Sequence, residues 1–267
     1  MKSIVGKKVL ITGAASGIGR LMAHGFAKEG SECIISDINQ QGLNAVTREI
    51  EQLGGKVHAY ACDISNEAMV QSVLEKIDQE IGAIDILINN AGIVLGKKIV
   101  DLTIDDFRKT MNVNFFGHLL FTKHYLPDMI KRNSGHIVNI ASSAGLQGFP
   151  RAADYNASKF AEVGFTEALR LELKKYGNTG VKTTLVCPYV IDTGMFKGFK
   201  PILFNPILQP DYVVSKVIVA VKKEKPIIKI PFSVNLTLLM KLFPVGFADW
   251  LCSVTGLTGS MDRFEGH

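Results

Sequence analysis

Short apolar runs alternate with helical patterns along the chain, without a linker between them. The runs are Lys8–Thr12, Ser31–Ser36, Lys56–Ala61, Ile84–Ile88, Gly135–Ala141 and Val181–Val186. Between them, Arg20–Gly30, Asn39–Leu53, Asn66–Ile81, Thr103–Lys131 and Ala153 to about Tyr176 carry helical periodicity, several of them ended by glycine. A strand that is apolar on both faces must be covered on both, and repeated βα units supply that cover as a parallel sheet between two helical layers. With Pro226–Pro231 as the last strand, the expected fold is α/β, a doubly wound parallel sheet of about seven strands. At 267 residues there is ample material for a core, and the expectation is a single domain over residues 1–267.

The first run leads into Gly13-Ala14-Ala15-Ser16-Gly17-Ile18-Gly19 and then a helix. Such a turn lets backbone N–H groups at the helix start meet a pyrophosphate with no β-carbons in the way, although a plain tight βα turn also uses glycines. Asp37 closes the second run eighteen positions after Gly19, near the spacing of the acid that binds a ribose diol. A carboxylate there accepts from a 2′-hydroxyl and repels a 2′-phosphate. Ser16, Ile38 and Asn39 offer no cation to hold that phosphate, so a Rossmann-type site favouring NAD over NADP is expected; the alternative for Asp37 is a helix cap.

Ala153-Asp154-Tyr155-Asn156-Ala157-Ser158-Lys159 carries the candidate chemistry. On a helix, Tyr155 and Lys159 lie roughly 40° apart around the axis and about 6 Å along it, so both reach one cleft. An ammonium near a phenol favours the phenolate, and Tyr155 can then exchange a proton with an alcohol or carbonyl oxygen. Ser142, thirteen positions earlier, follows a buried strand, where open α/β sheets bind ligands. Tyr, Lys and Ser are also common on helices and loops, so it is the glycine turn that strengthens this reading.

Composition removes other classes. The chain is 47% hydrophobic and 21% charged, which excludes a disordered chain. Its net charge of +5 comes from scattered or paired cations, not a nucleic-acid footprint. Cys33, Cys62, Cys187 and Cys252 have no short pairing and read as reduced, buried thiols; no histidine or cysteine spacing suits a metal. Met1-Lys2-Ser3 runs almost directly into a strand, with no room for a signal peptide, and charges or breakers interrupt every apolar run short of a membrane span. The expected location is cytoplasmic, with peripheral attachment to a membrane as the alternative.

Thr12-Gly13-x-x-x-Gly17-x-Gly19, Asn89-Asn90-Ala91-Gly92, Ser142 and Tyr155-x-x-x-Lys159, in this order, resemble the short-chain dehydrogenase/reductase family from about Val5 to Thr193. The resemblance implies that Ser142 steadies the substrate oxygen and Tyr155 is the acid/base. It implies that Lys159 lowers the tyrosine pKa and holds the nicotinamide ribose, while Asn114 anchors a water near that lysine. It places Gly13, Ser16, Gly17, Ile18, Gly19 and Asp37 on the cofactor. Asp63 and Ile64 then lie beside the adenine, Asn90, Ala91 and Gly92 on the adenosine side, Pro188 and Thr193 at the carboxamide. Read alone, Asn114 would be a helix kink and Asp63 a strand-end turn. Where most members have Pro-Gly after the sixth strand, this chain has Cys187-Pro188-Tyr189-Val190-Ile191-Asp192-Thr193-Gly194, closer to the retinol and 17β-hydroxysteroid dehydrogenase branch. That branch usually carries an amino-terminal membrane anchor, and none is expected here.

Residues 195–210 hold three prolines, a glycine and seven large apolar side chains in the stretch after Met195, which suits a mobile lid over an apolar ligand, or a loop packed on its own core. Residues 231–267 form an apolar extension with Leu236, Leu239, Phe243, Phe247, Trp250 and Val254 at helical spacing; it could cover the cleft, bury a subunit contact or lie on a membrane. The family implies a homodimer or homotetramer through the two long helices and the last strand, with Phe107, Met111, Phe115, Leu119 and Thr122 on one face. The expected function is hydride transfer between NAD(H) and a lipophilic alcohol or ketone of steroid, retinoid or long-chain type. The alternatives are a reductase of small polar ketones or acyl-thioester intermediates, and a regulatory NAD-binding protein without turnover.

Overall fold

The computed structural model describes residues 3–202 and 205–265; Leu203 and Phe204 of the expected lid lie outside the described residues. The strands are β1 (Lys8–Thr12), β2 (Glu32–Asp37), β3 (Lys56–Ala61), β4 (Ile86–Asn89), β5 (Gly135–Ile140), β6 (Val181–Pro188) and β7 (Ile227–Ile230). All pair in parallel in the order β3-β2-β1-β4-β5-β6-β7. The order reverses between β1 and β4, and at such a switch point the strand ends part and leave a crevice.

The intervening helices are α1 (Gly17–Lys28), α2 (Gln40–Gln52), α3 (Glu67–Glu80), α4 (Ile104–Met111), α5 (Gly117–Lys131) and α6 (Ala153–Lys175). Alternate strand residues face opposite layers. Val9 and Ile11 join a core with Met22, Phe26, Leu43 and Val46, whereas Leu10 joins Leu74, Ile77, Phe121 and Met129 on the other side. Phe26 and Phe121 are wholly buried, and truncating either to alanine should cost about 3–5 kcal/mol.

The structure departs from the sequence reading in several places. The expected single helix over 103–131 is interrupted by a π-helical turn, Asn112–Phe116, between α4 and α5. A π-turn inserts one residue into the hydrogen-bond ladder, and here it turns Asn114 inward. α4 opens with a capping box in which the Thr103 side chain accepts from the Asp106 N–H and the Asp106 carboxylate from the Thr103 N–H. A further helix, α7 (Pro210–Lys222), was not anticipated, because the prolines before it read as a breaker run. Pro210 in fact opens it, where a missing N–H costs nothing, and Val213, Val214, Val217, Ile218 and Val221 give it an apolar face. The extension contains α8 (Leu236–Met240) and α9 (Val245–Val254). No helix among the described residues is long and apolar enough to cross a membrane.

Candidate active site

One cavity of about 730 Å³ opens along the carboxyl ends of the strands. Its wall includes Gly13, Ser16, Gly17, Ile18, Gly19, Asp37, Asp63, Ile64, Asn90, Ala91, Gly92, Ser142, Tyr155, Lys159, Pro188 and Thr193. Of the expected site residues, only Asn114 stands behind the wall instead of in it.

The glycine turn is fastened to β4. Asn90 donates through its side-chain amide to the carbonyls of Thr12 (2.9 Å) and Gly13 (3.0 Å), while the Thr12 hydroxyl accepts from the Asn90 and Ala91 N–H groups at 3.0 and 3.2 Å. Gly13 has φ +66°, and a β-carbon there would lie 2.6 Å from the Ala91 Cα. No side chain fits, so the two backbones touch. Helix α1 starts at Gly17, earlier than its periodicity suggested, after an extended Ser16 whose side chain makes no cap. Its first N–H groups thus face the cavity without side-chain partners, a cradle that fits a pyrophosphate.

Asp37 ends β2 with both carboxylate oxygens fixed, one accepting from the Ala15 N–H (3.0 Å), the other from the Asn39 N–H (2.9 Å). The cap of α2 is Asn39, not Asp37. Carboxylate oxygens accept more than one bond, so Asp37 retains capacity toward a diol in the cavity. Asp63 does close a strand-end turn, accepting from the Ser65 N–H and hydroxyl at 2.9 and 2.7 Å, and it also lines the cavity. The residues present therefore fit a dinucleotide.

On the opposite wall stand Ser142, Tyr155 and Lys159, all buried. Ser142 follows β5 in extended conformation, and its hydroxyl accepts from the Ala144 N–H at 3.1 Å. The start of α6 is held by Asp154, a fully buried carboxylate that accepts from the Thr110 hydroxyl at 2.6 Å. One turn on, Lys159 donates to the Ile140 carbonyl at 2.8 Å, with its ammonium 5.8 Å from the centre of the Tyr155 ring. Burial pushes the Tyr155 phenol up to about 12, and the hydrogen bond with Ser142 works against that rise. Burial also lowers the Lys159 pKa, with Glu162 acting to raise it. The sequence reading expected the ammonium to dominate the phenol; in this arrangement desolvation outweighs it.

Asn114 ties two walls together. Its Oδ1 accepts from the Ile93 N–H at 2.8 Å, and its amide donates to the Ile93 carbonyl and the Ser158 hydroxyl, both at 3.0 Å. Four residues along, His118 repeats the tie, one ring nitrogen facing the Ala91 carbonyl at 2.8 Å and the other the Glu162 carboxylate at 3.1 Å. His118 and Glu162 escaped the sequence reading, which had no signal for buried polar groups within helices.

The substrate side is apolar. Met195, Phe196, Phe199 and Ile202 line it, and the Phe196 ring meets Tyr155 edge-on with centroids 5.7 Å apart. The Phe196 ring also contacts Phe199 and Phe264. Within this stretch Phe199 and Leu208 are packed into the core, while Phe196 and Ile202 line the cavity. Lys197, in the same stretch, is paired with Glu265 at 2.7 Å. Leu236, Thr237 and Met240 of α8 and Leu251 of α9 complete the wall, so the extension does cover the cleft. Among the described residues no group of three His, Cys, Asp or Glu is placed to hold a metal.

The chain matches the short chain dehydrogenase family model over residues 7–201. It is 42% identical to epidermal retinol dehydrogenase 2 of Homo sapiens over 268 residues, covering 98% of this chain and 86% of that one. It is 39% identical to 17-beta-hydroxysteroid dehydrogenase 13 of Rattus norvegicus over 242 residues, 91% and 80% of the two chains. Among solved structures, a short chain dehydrogenase/reductase from Burkholderia phymatum in complex with NAD superposes with a TM-score of 0.83 at 27% identity, covering 91% of this chain and 95% of that one. A metagenomic short-chain oxidoreductase in complex with NADP gives 0.72 at 26%, covering 85% and 96%.

Proposed function

The chain belongs to the short-chain dehydrogenase family, and from that premise we propose that it transfers a hydride between NAD(H) and a lipophilic alcohol or ketone of steroid, retinoid or long-chain type. The observation that carries this reading is the edge of Phe196 against Tyr155, which sets a proton-transfer phenol of the cavity beside the apolar side chains of the lid. The relatives named for retinol and 17-beta-hydroxysteroid support the same substrate class.

The nicotinamide, when bound, supplies or accepts the hydride. This chain's residues do the rest. Tyr155 gives its proton to a nascent alkoxide in reduction and takes one from the alcohol in oxidation. Ser142 holds the substrate oxygen, and Lys159 adds a positive charge near the phenol and would hold the nicotinamide ribose. Asn114 and His118 hold the β4 exit against α6, positioning Lys159 relative to the cofactor wall. Asp37 supports NAD over NADP, because a carboxylate already holding two N–H groups repels a 2′-phosphate.

Residues 195–210 act as the substrate lid of one catalytic domain spanning 1–267, and a role in lipid metabolism follows from the substrate class. The four cysteines, free and buried, support a cytoplasmic enzyme. Pairing into a homo-oligomer is supported by the α5–α6 side, where Phe116 and Phe160 are exposed and Phe107, Met111, Phe115 and Leu119 are half-buried. NADH fluorescence against a broad panel of carbonyls tests the whole reading. Oxidation of NADH by apolar ketones is expected, whereas binding without any oxidation would leave a regulatory protein.

A further inference from the structure

The segment from Phe232 to Val254 is unlike the rest of the surface. Phe232, Leu242, Phe243, Val245, Trp250 and Val254 are between 52% and 80% exposed, and the whole span carries only two charges, Lys241 and Asp249. The rings of Phe243, Phe247 and Trp250 follow one another at 5.2 and 5.6 Å, so the exposure is contiguous. Single exposed apolar side chains are ordinary; a continuous run on two consecutive helices marks a surface that meets something.

Beside it lies a groove of about 410 Å³ between α7 and β7, lined by Lys216, Lys223, Lys225 and Lys229. From Pro210 to Pro231 the chain carries five lysines against Asp211 and Glu224. Of these, Lys222 is paired with Glu29, and Glu224 with Lys182 at 3.4 Å. Lys216 stacks 5.1 Å over Tyr212, and the four groove lysines have no carboxylate partner among the described residues. Phe232 belongs to both features, lining the groove and opening the apolar span, so cationic and apolar surface are continuous.

We propose that this face docks on an anionic lipid surface, with Phe243, Phe247 and Trp250 entering the acyl boundary and the groove lysines meeting the headgroup phosphates. Charge decides between this occupant and a second copy of the chain. A second copy of the chain brings the same net charge of +5, which like charges oppose, whereas an anionic surface complements the lysine groove. The inner sides of α8 and α9 line the cavity, so a lipid-dissolved substrate could enter from the docked face without crossing water. That last step rests on the lipophilic-substrate reading, while docking itself does not.

Trp250 is the single tryptophan of the chain, so the intact protein carries its own probe. Its emission and co-sedimentation are measured with vesicles of phosphatidylcholine alone and of phosphatidylcholine with phosphatidylserine. A blue shift and sedimentation with the anionic vesicles are expected, weakening as salt rises. Replacing Lys216, Lys223, Lys225 and Lys229 together by Gln should lower vesicle affinity about 600-fold, from about fivefold for each charge. Phe243→Ser with Phe247→Ser should abolish the shift, with circular dichroism melting confirming that both variants fold. No binding to either vesicle, or equal binding to both that ignores the lysine replacements, overturns the proposal. So does a dimer, seen by light scattering without lipid, that the two Phe→Ser changes dissolve. None of these readings requires turnover, so the docking face and the proposed reaction can fail separately.

Discussion

The two walls of the cavity are built by different physics. The cofactor wall, from Gly13 to Gly92, is held by hydrogen bonds of fixed direction: Asn90 to the Thr12 and Gly13 carbonyls, and Asp37 to the Ala15 and Asn39 N–H groups. The substrate wall, from Met195 to Leu257, is held by ring edges and aliphatic contacts among Phe196, Phe199, Phe264 and the short helices α8 and α9. Directional bonds demand particular residues at particular positions. Apolar packing accepts many. The first wall therefore states what the protein binds, and the second only what kind of molecule it admits.

The comparison can be broken at four points. Tyr155→Phe, at the seam between the walls, removes the transferable proton and keeps the ring; turnover should fall about 10²-fold or more with NAD affinity little changed, read from steady-state kinetics and NADH titration. The pH dependence should be nearly as large. Oxidation needs the phenolate of a group that burial pushes up to about 12, so kcat/KM for oxidation should climb close to tenfold per pH unit through the neutral range. Reduction uses the phenol and should stay flat over the same range. Phe196→Ala opens the substrate wall alone: kcat/KM for a sterol-sized alcohol should fall about tenfold, and for a short alcohol change little. Asp37→Ala alters only the cofactor wall and should narrow the advantage of NAD over NADP by about tenfold, removing a hydrogen-bonding charge. Should the unaltered protein already prefer NADP, the role of Asp37 fails.

Legibility in the sequence follows the same division. The strands of the cofactor half announce themselves because burial on both faces requires unbroken apolar runs, as in Val9-Leu10-Ile11. Gly13 was legible because only glycine survives φ +66° against the Ala91 backbone. The π-turn at Asn114 was not, since its neighbours Asn112 to Phe116 suit an ordinary helix and only the bonds to Ile93 and Ser158 draw it inward. Helix α7 was hidden by its own opening proline, whose meaning depends on whether a helix follows or precedes it. His118 and Glu162 are neither periodic nor part of a motif, and a tertiary contact 44 residues apart brings them together. In the extension, Leu251 lines the cavity while its neighbour Trp250 is exposed, a choice made by packing that composition cannot express.

The central claim is that proton-transfer chemistry and an apolar substrate wall share one cavity, and chain length in the substrate tests it most directly. With NAD in excess, kcat/KM is measured across primary alcohols of rising length, then for a sterol and a sugar alcohol. Each buried methylene should contribute about 0.8 kcal/mol, or nearly fourfold, until the cavity fills, and the sterol should far exceed the sugar alcohol. A flat series, or a preference for the sugar alcohol, would contradict the account.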